Sequence, residues 1–120
     1  MDIGKIELHD EKLISIIMSS NTGFFDMIKI LVEYQKRTLV IQCSDCYSAK
    51  LDCNLFISGC DTIRNFSLEK INVEQFISKY PERKISIPLY KISLNTNTSN
   101  SDIEIIAKDI NCYHEYSVNS

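Results

Sequence analysis

A chain of 120 residues with 44% apolar and 24% charged residues has room for one domain, spanning 1–120, and one core. Its net charge of −3 argues against a general nucleic-acid binder, which gathers Lys and Arg against phosphates. Five cysteines, an odd number, fit reduced thiols in the cytoplasm better than a paired extracellular framework.

The first eighteen residues read as a hairpin, with strands at 3–8 and 12–18 and a turn at His9-Asp10-Glu11. No basic segment followed by an apolar one opens the chain, so no secretory signal is expected. The apolar stretch Leu13 to Met18 is far shorter than the about 18 residues a membrane span needs. After a turn at 19–23, Ile28, Ile30, Val32 and Tyr34 line one face of a strand, with Lys29 and Glu33 on the other. Gln35 to Arg37 turns the chain, and Leu39, Ile41 and Cys43 share a face on the next strand. Tyr47, Ala49, Leu51, Cys53 and Leu55 then alternate with Ser48, Lys50, Asp52 and Asn54. Strict alternation of this kind predicts a half-buried antiparallel strand.

Past Ser58-Gly59 the period changes. Val73, Phe76, Ile77 and Tyr80 follow helical spacing, with Asn72 and Gln75 placed to cap and Pro81 to stop. Strands near 84–94 and 102–113 close the chain, and Pro88 puts the first of them at an edge or bulge. Between them, Asn95 to Ser101 is a polar surface loop. The last segment also matches a helical pattern, but its isoleucines favour strand. The expected fold is α+β: a mainly antiparallel sheet of about six to seven strands with one short helix near 73–80.

Motifs that carry chemistry are sparse. Cys43-Ser44-Asp45-Cys46 has the Cys-x-x-Cys spacing of zinc and thiol-exchange sites. A structural zinc needs four ligands, however, and a redox pair needs a helix N-terminus. The motif lies instead at a strand–turn–strand junction. His9 and His114 form no metal-binding spacing, and nothing places either beside the loop cysteine Cys60. Asp102 and Glu104 share a strand face, but no cleft is evident that would raise one carboxyl for acid catalysis. No phosphate-binding loop or nucleophile motif occurs. No catalytic residue, metal or cofactor is therefore expected.

What remains is acid among aromatics. Asp102, Glu104, Asp109 and Glu115 against Lys108 give the segment 102–120 a charge equal to that of the whole chain, with Tyr113 and Tyr116 among them. Asp45, Asp52 and Asp61 flank the most regular strand. Carboxylates steer a basic partner, and tyrosine rings supply rigid buried contact.

The stretch Tyr47 to Leu55, running on to Asp61-Thr62-Ile63-Arg64-Asn65-Phe66, resembles the strand and loop of small bacterial immunity proteins, including those of contact-dependent growth inhibition. That resemblance implies a non-enzymatic cytoplasmic protein that neutralises a cognate basic toxin, such as a nuclease, as a monomer or homodimer. The surface expected to bind comprises Asp45, Asp52, Asp61, Asp102, Glu104, Asp109, Tyr113, Glu115 and Tyr116. The alternatives are a secretion chaperone or adaptor holding a protein segment, and a small metal or redox protein using Cys43 and Cys46.

Overall fold

A computed structural model describes residues 6–20, 27–53, 61–71 and 89–115. Six strands occur in them: β1 (Lys12–Ser19), β2 (Met27–Tyr34), β3 (Arg37–Asp52), β4 (Asp61–Ile71), β5 (Leu89–Thr96) and β6 (Asp102–His114). All pairings are antiparallel, and the strands close into a barrel in the order β1-β2-β3-β6-β5-β4. No helix occurs among the described residues, and the helix expected at 73–80 lies outside them. No helix there is long and apolar enough to cross a membrane.

Alternation builds the interior. Ile28, Ile30 and Val32 of β2 meet Cys43, Ile41 and Leu39 of β3 across the ladder, and all six are buried. The β2–β3 hairpin turns on Gln35 and Lys36, both with positive φ (53° and 63°), as the two-residue turn that follows strand twist requires. The expected last strand is present, with Ile103, Ile105, Ala107 and Cys112 buried.

Three expectations are corrected. Residues 6–8 form no strand; they lie beside β4, where the Asp10 amide donates to the Ile63 carbonyl at 2.7 Å and Leu8 enters the core. The strands expected at 39–43 and 47–55 are, as far as Asp52, one strand, β3. Asp45 takes left-handed backbone (φ 53°), and the register with β6 slips between Cys46 and Ser48. A bulge bends a strand without ending it, and Asp tolerates this backbone better than most residues. The N-terminal half of β3, as far as Ser44, therefore pairs with β2 on one side and β6 on the other, and its C-terminal half pairs with β6 alone among the described strands, with β5 and β4 beyond β6. Finally, β4 occupies 61–71, where no complete strand was expected. Phe66 and Leu68 pack against the core from it, and a slip between Ile63 and Asn65 breaks its alternation.

The barrel closes through few contacts. β1 pairs with β4 only at Lys12↔Thr62 and Leu13↔Asp61. The β5–β6 loop braces this seam. Asp61 accepts from the Thr98 amide (2.9 Å), the Ser99 amide (3.4 Å) and the Ser99 hydroxyl. Thr96, Ser99 and Ser101 are buried and linked by hydroxyl hydrogen bonds of 3.0 and 2.7 Å. Asn97 donates from its side chain to Thr62 Oγ1 (2.9 Å) and Asp10 Oδ1 (3.3 Å). Of the stretch expected as a loop, Asn95 and Thr96 instead end β5; 97–101 form the loop, and its Ser99 and Ser101 are buried with Thr96 instead of lying on a solvated tip.

Candidate functional site

The outer side of β3, β6, β5 and β4 carries two continuous rows of polar side chains. Asp52 pairs with Asp102, Asp102 with Asn95, and Asn95 with Asn65; one step along, Lys50 pairs with Glu104, Glu104 with Ser93, and Ser93 with Ser67. Side chains opposite one another across antiparallel strands point to the same face, with Cβ atoms about 5 Å apart. These eight residues line a groove of about 500 Å³. The next row is Ser48, Ile106, Lys91 and Glu69, where Lys91 Nζ lies 3.2 Å from a Glu69 carboxylate oxygen.

Charge in the groove is unbalanced. Asp52 and Asp102 are direct cross-strand neighbours, an arrangement that destabilises a sheet because like charges oppose. Neither carboxylate forms an ion pair among the described residues, and Lys50 is the groove's only cation among them. Asn65 and Asn95 add amides, joined by a 3.2 Å hydrogen bond.

The sequence-derived binding residues are thereby divided. Asp52, Asp102 and Glu104 meet in the groove. Asp45 and Asp109 are exposed further along the same β3–β6 ribbon, at its bend, where Ser44 pairs with Asp109. Asp109 is seven residues from Asp102, about 23 Å along an extended strand. Tyr113 is half-exposed beyond the bend, its hydroxyl donating to Gln42 Oε1 at 3.0 Å, and Glu115 is exposed after β6. Tyr116 lies outside the described residues. Asp61 is committed to the seam. Partial burial raises its carboxyl pKa, but the hydrogen bonds from Ser99, Thr98 and Thr96 outweigh this and hold it below the ordinary 3.8. The groove walls Asn65, Ser67, Ser93 and Asn95 were not expected as site residues. Their signal was positional: they face outward only once β4 and β5 are placed beside β6.

Asp61 gives a stability prediction. Its folded pKa is depressed, so its contribution is fully present above the unfolded value and is lost as pH falls through the folded one. Asp61→Asn is expected to cost about 1–3 kcal/mol near neutral pH, the penalty for weakening hydrogen bonds to buried groups. The gap between wild type and variant in urea unfolding should narrow as pH falls from about 5 to about 2. A gap that stays constant would rule out the ionised carboxylate as the source.

The Cys-x-x-Cys pair is a poor reagent. Cys43 is fully buried, and burial, with Cys46 nearby adding to it, pushes its thiol pKa up to about 12. The Cys46 thiol donates to the Cys43 carbonyl at 3.3 Å. A thiolate, the form that attacks or binds metal, is disfavoured at Cys43. No group of three or more His, Cys, Asp or Glu able to hold a metal occurs among the described residues, and Cys60 lies outside them. Of the described cysteines, Cys53 is exposed. In a timed thiol titration of the native protein at neutral pH, Cys53 should react within the first phase and Cys43 only on unfolding. Early modification of Cys43 would contradict this.

No protein-family model matches the chain, and no curated protein matches it either. The functional reading therefore rests on the groove.

Proposed function

We propose that the protein is a non-enzymatic binding module that engages a basic protein partner through the outer groove of β3, β6, β5 and β4, as an immunity protein engages its toxin. The observation carrying this reading is the uncompensated pair Asp52–Asp102, set in a groove with Glu104 and one Lys. A like-charge pair costs stability in the unbound sheet, and natural sequences accept such costs where function needs them. A cationic side chain of the partner would relieve the repulsion on binding. Asp45 and Asp109 extend the negative field along the ribbon and raise the encounter rate with a basic surface. In this reading the protein works in the cytoplasm, where a toxin such as a nuclease would be neutralised.

The test is a tagged pull-down from the source cells at low salt, with bound proteins identified by mass spectrometry. One stoichiometric basic partner that elutes with salt supports the proposal. No stoichiometric partner, or one retained at high salt, counts against it.

One observation favours a second reading, an adaptor for an extended segment. Ala49 and Leu51 share a face with the buried Ile105 and Ile103 across the ladder, yet both are exposed. Among the described residues no strand pairs with the other edge of β3 beyond Ser44. An extended peptide could add there as a further strand. A partner recovered through an unfolded segment would move the weight to this reading.

A further inference from the structure

Arg64 stands at the rim of the groove, on β4, the strand farthest from Asp52. It lies at the slip between Ile63 and Asn65 in the β4–β5 register and is exposed. Its guanidinium turns toward the groove: Nε donates to Asn95 Oδ1 at 3.4 Å, and Nη2 donates to Asn100 Oδ1 at 2.6 Å. Asn95 is the groove residue opposite Asp102. Asn100 takes left-handed backbone (φ 54°), which Asn tolerates. Both acceptors are neutral amides, and Arg64 forms no ion pair among the described residues. Asp10, whose amide binds the neighbouring Ile63 carbonyl, directs its carboxylate to Asn97 and His9 instead. A second cavity of about 390 Å³, lined by Arg64, His9 and Phe66 among others, shares Asn65 and Ser67 with the groove. The two hollows therefore adjoin across β4.

We infer that Arg64, held off the groove acids by Asn95 and Asn100, is a specificity-determining residue that takes a carboxylate of the partner beside the cation entering between Asp52 and Asp102. This role rests on the groove as the binding surface and adds the opposite sign to it. The guanidinium is anchored on Asn95, whose Cβ lies about 5 Å from that of Asp102 across the ladder. Opposite charges so near one another ordinarily pair, yet here amides hold them apart and neither is neutralised among the described residues. Both signs are thus left for a ligand. Arg64 is also fixed in advance. Two of its N–H groups are used by Asn95 and Asn100, and the remaining donors of the fork suit a bidentate carboxylate. Lys50, the cation inside the groove, differs in both respects. It sits directly opposite Glu104 on a flexible stem, so the groove's own acid competes for it. The surface therefore fits a basic partner that carries an acidic residue beside its docking cation, and it discriminates against one that presents cations alone.

The test is an NMR titration of the full chain, at equal ionic strength, with two small probes. Nα-acetyl-arginine carries a guanidinium and a carboxylate; Nα-acetyl-arginine amide carries the guanidinium alone. The side-chain amides of Asn65 and Asn95 and the Nε–H of Arg64 report binding. Wild type is expected to prefer the carboxylate probe by about 2- to 5-fold, the range of an exposed ion pair. In Arg64→Gln the preference should reverse, because the carboxylate then meets Asp52, Asp102 and Glu104 unopposed. In Lys50→Gln it should persist. Wild type alone decides should Arg64→Gln fail to fold: equal or weaker binding of the carboxylate probe overturns the role of Arg64 and leaves the groove standing as a cation site. A preference that is lost with Lys50 and kept without Arg64 also overturns it. Failure of both probes to shift the wild-type signals overturns the groove itself along with Arg64.

Discussion

Reversing the opposed pair, as Asp52→Lys/Asp102→Lys, is expected to cut the association rate with the basic partner by about 10-fold or more at low salt and to flatten its salt dependence. The two carboxylates face each other in the groove, so together they dominate the field a cationic side chain meets there. The same geometry predicts an opposite effect on stability for the milder change. Asp102→Asn removes one of two repelling charges and should raise stability by about 0.2–1 kcal/mol, the range for cross-strand pairs. Weaker binding together with a more stable fold is a signature that simple structural damage does not produce. Glu115→Lys, beyond the bend and away from the groove, provides the comparison and should slow association less. Stopped-flow association across a salt series and urea unfolding read the two effects separately. If the double reversal leaves both rate and salt slope unchanged, the groove is not where the partner binds.

The second large effect concerns the core. Ile105→Ala is expected to cost about 2–5 kcal/mol, the range for emptying a buried aliphatic site, out of about 5–15 kcal/mol for a domain of this size. Leu51→Ala should cost no more than about 0.5 kcal/mol. Ile105 is fully buried and belongs to the main core cluster, whereas Leu51 is 39% exposed. The two residues lie on adjacent strands and on the same side of the sheet, so secondary structure and facing do not distinguish them. Equilibrium urea unfolding of both variants gives the answer from shifts in midpoint at constant slope. A large loss for Leu51→Ala would mean that the apolar row of β3 is covered in solution.

That contrast marks where sequence reasoning reaches its limit. The alternation from Tyr47 to Leu55 is the most regular in the chain, and it correctly indicates a strand as far as Asp52. It does not indicate burial, because burial depends on what lies across the sheet. Here β3 runs on past the end of β2, and its apolar row reaches open surface. Bulges obscured two other elements. The left-handed Asp45 looked like a turn between two strands. The slip between Ile63 and Asn65 concealed β4 by shifting its alternation by one residue. A period-two pattern is read by counting, and one extra residue defeats the count although the backbone continues.

The candidate site was legible only in part. Asp52, Asp102 and Glu104 were identified from local acidity, and the structure brings those three together. Asp61 looked equivalent in sequence but is tied to the β5–β6 loop. Contacts such as Asp61 with Ser99, 38 residues apart, leave no local trace.

By itself, the amino-acid sequence determined the antiparallel strands at 12–18, 28–34 and 102–113 and the core faces of β2 and of β3 up to Cys43. Side-chain period and β-branched content are local properties, and they survive folding unchanged. Only the tertiary structure decided that the strands close into a barrel, that β3 and β6 bend together, and that Asp52 faces Asp102. Register and closure are set by pairing between residues far apart in the chain, where one bulge moves every later neighbour by one place.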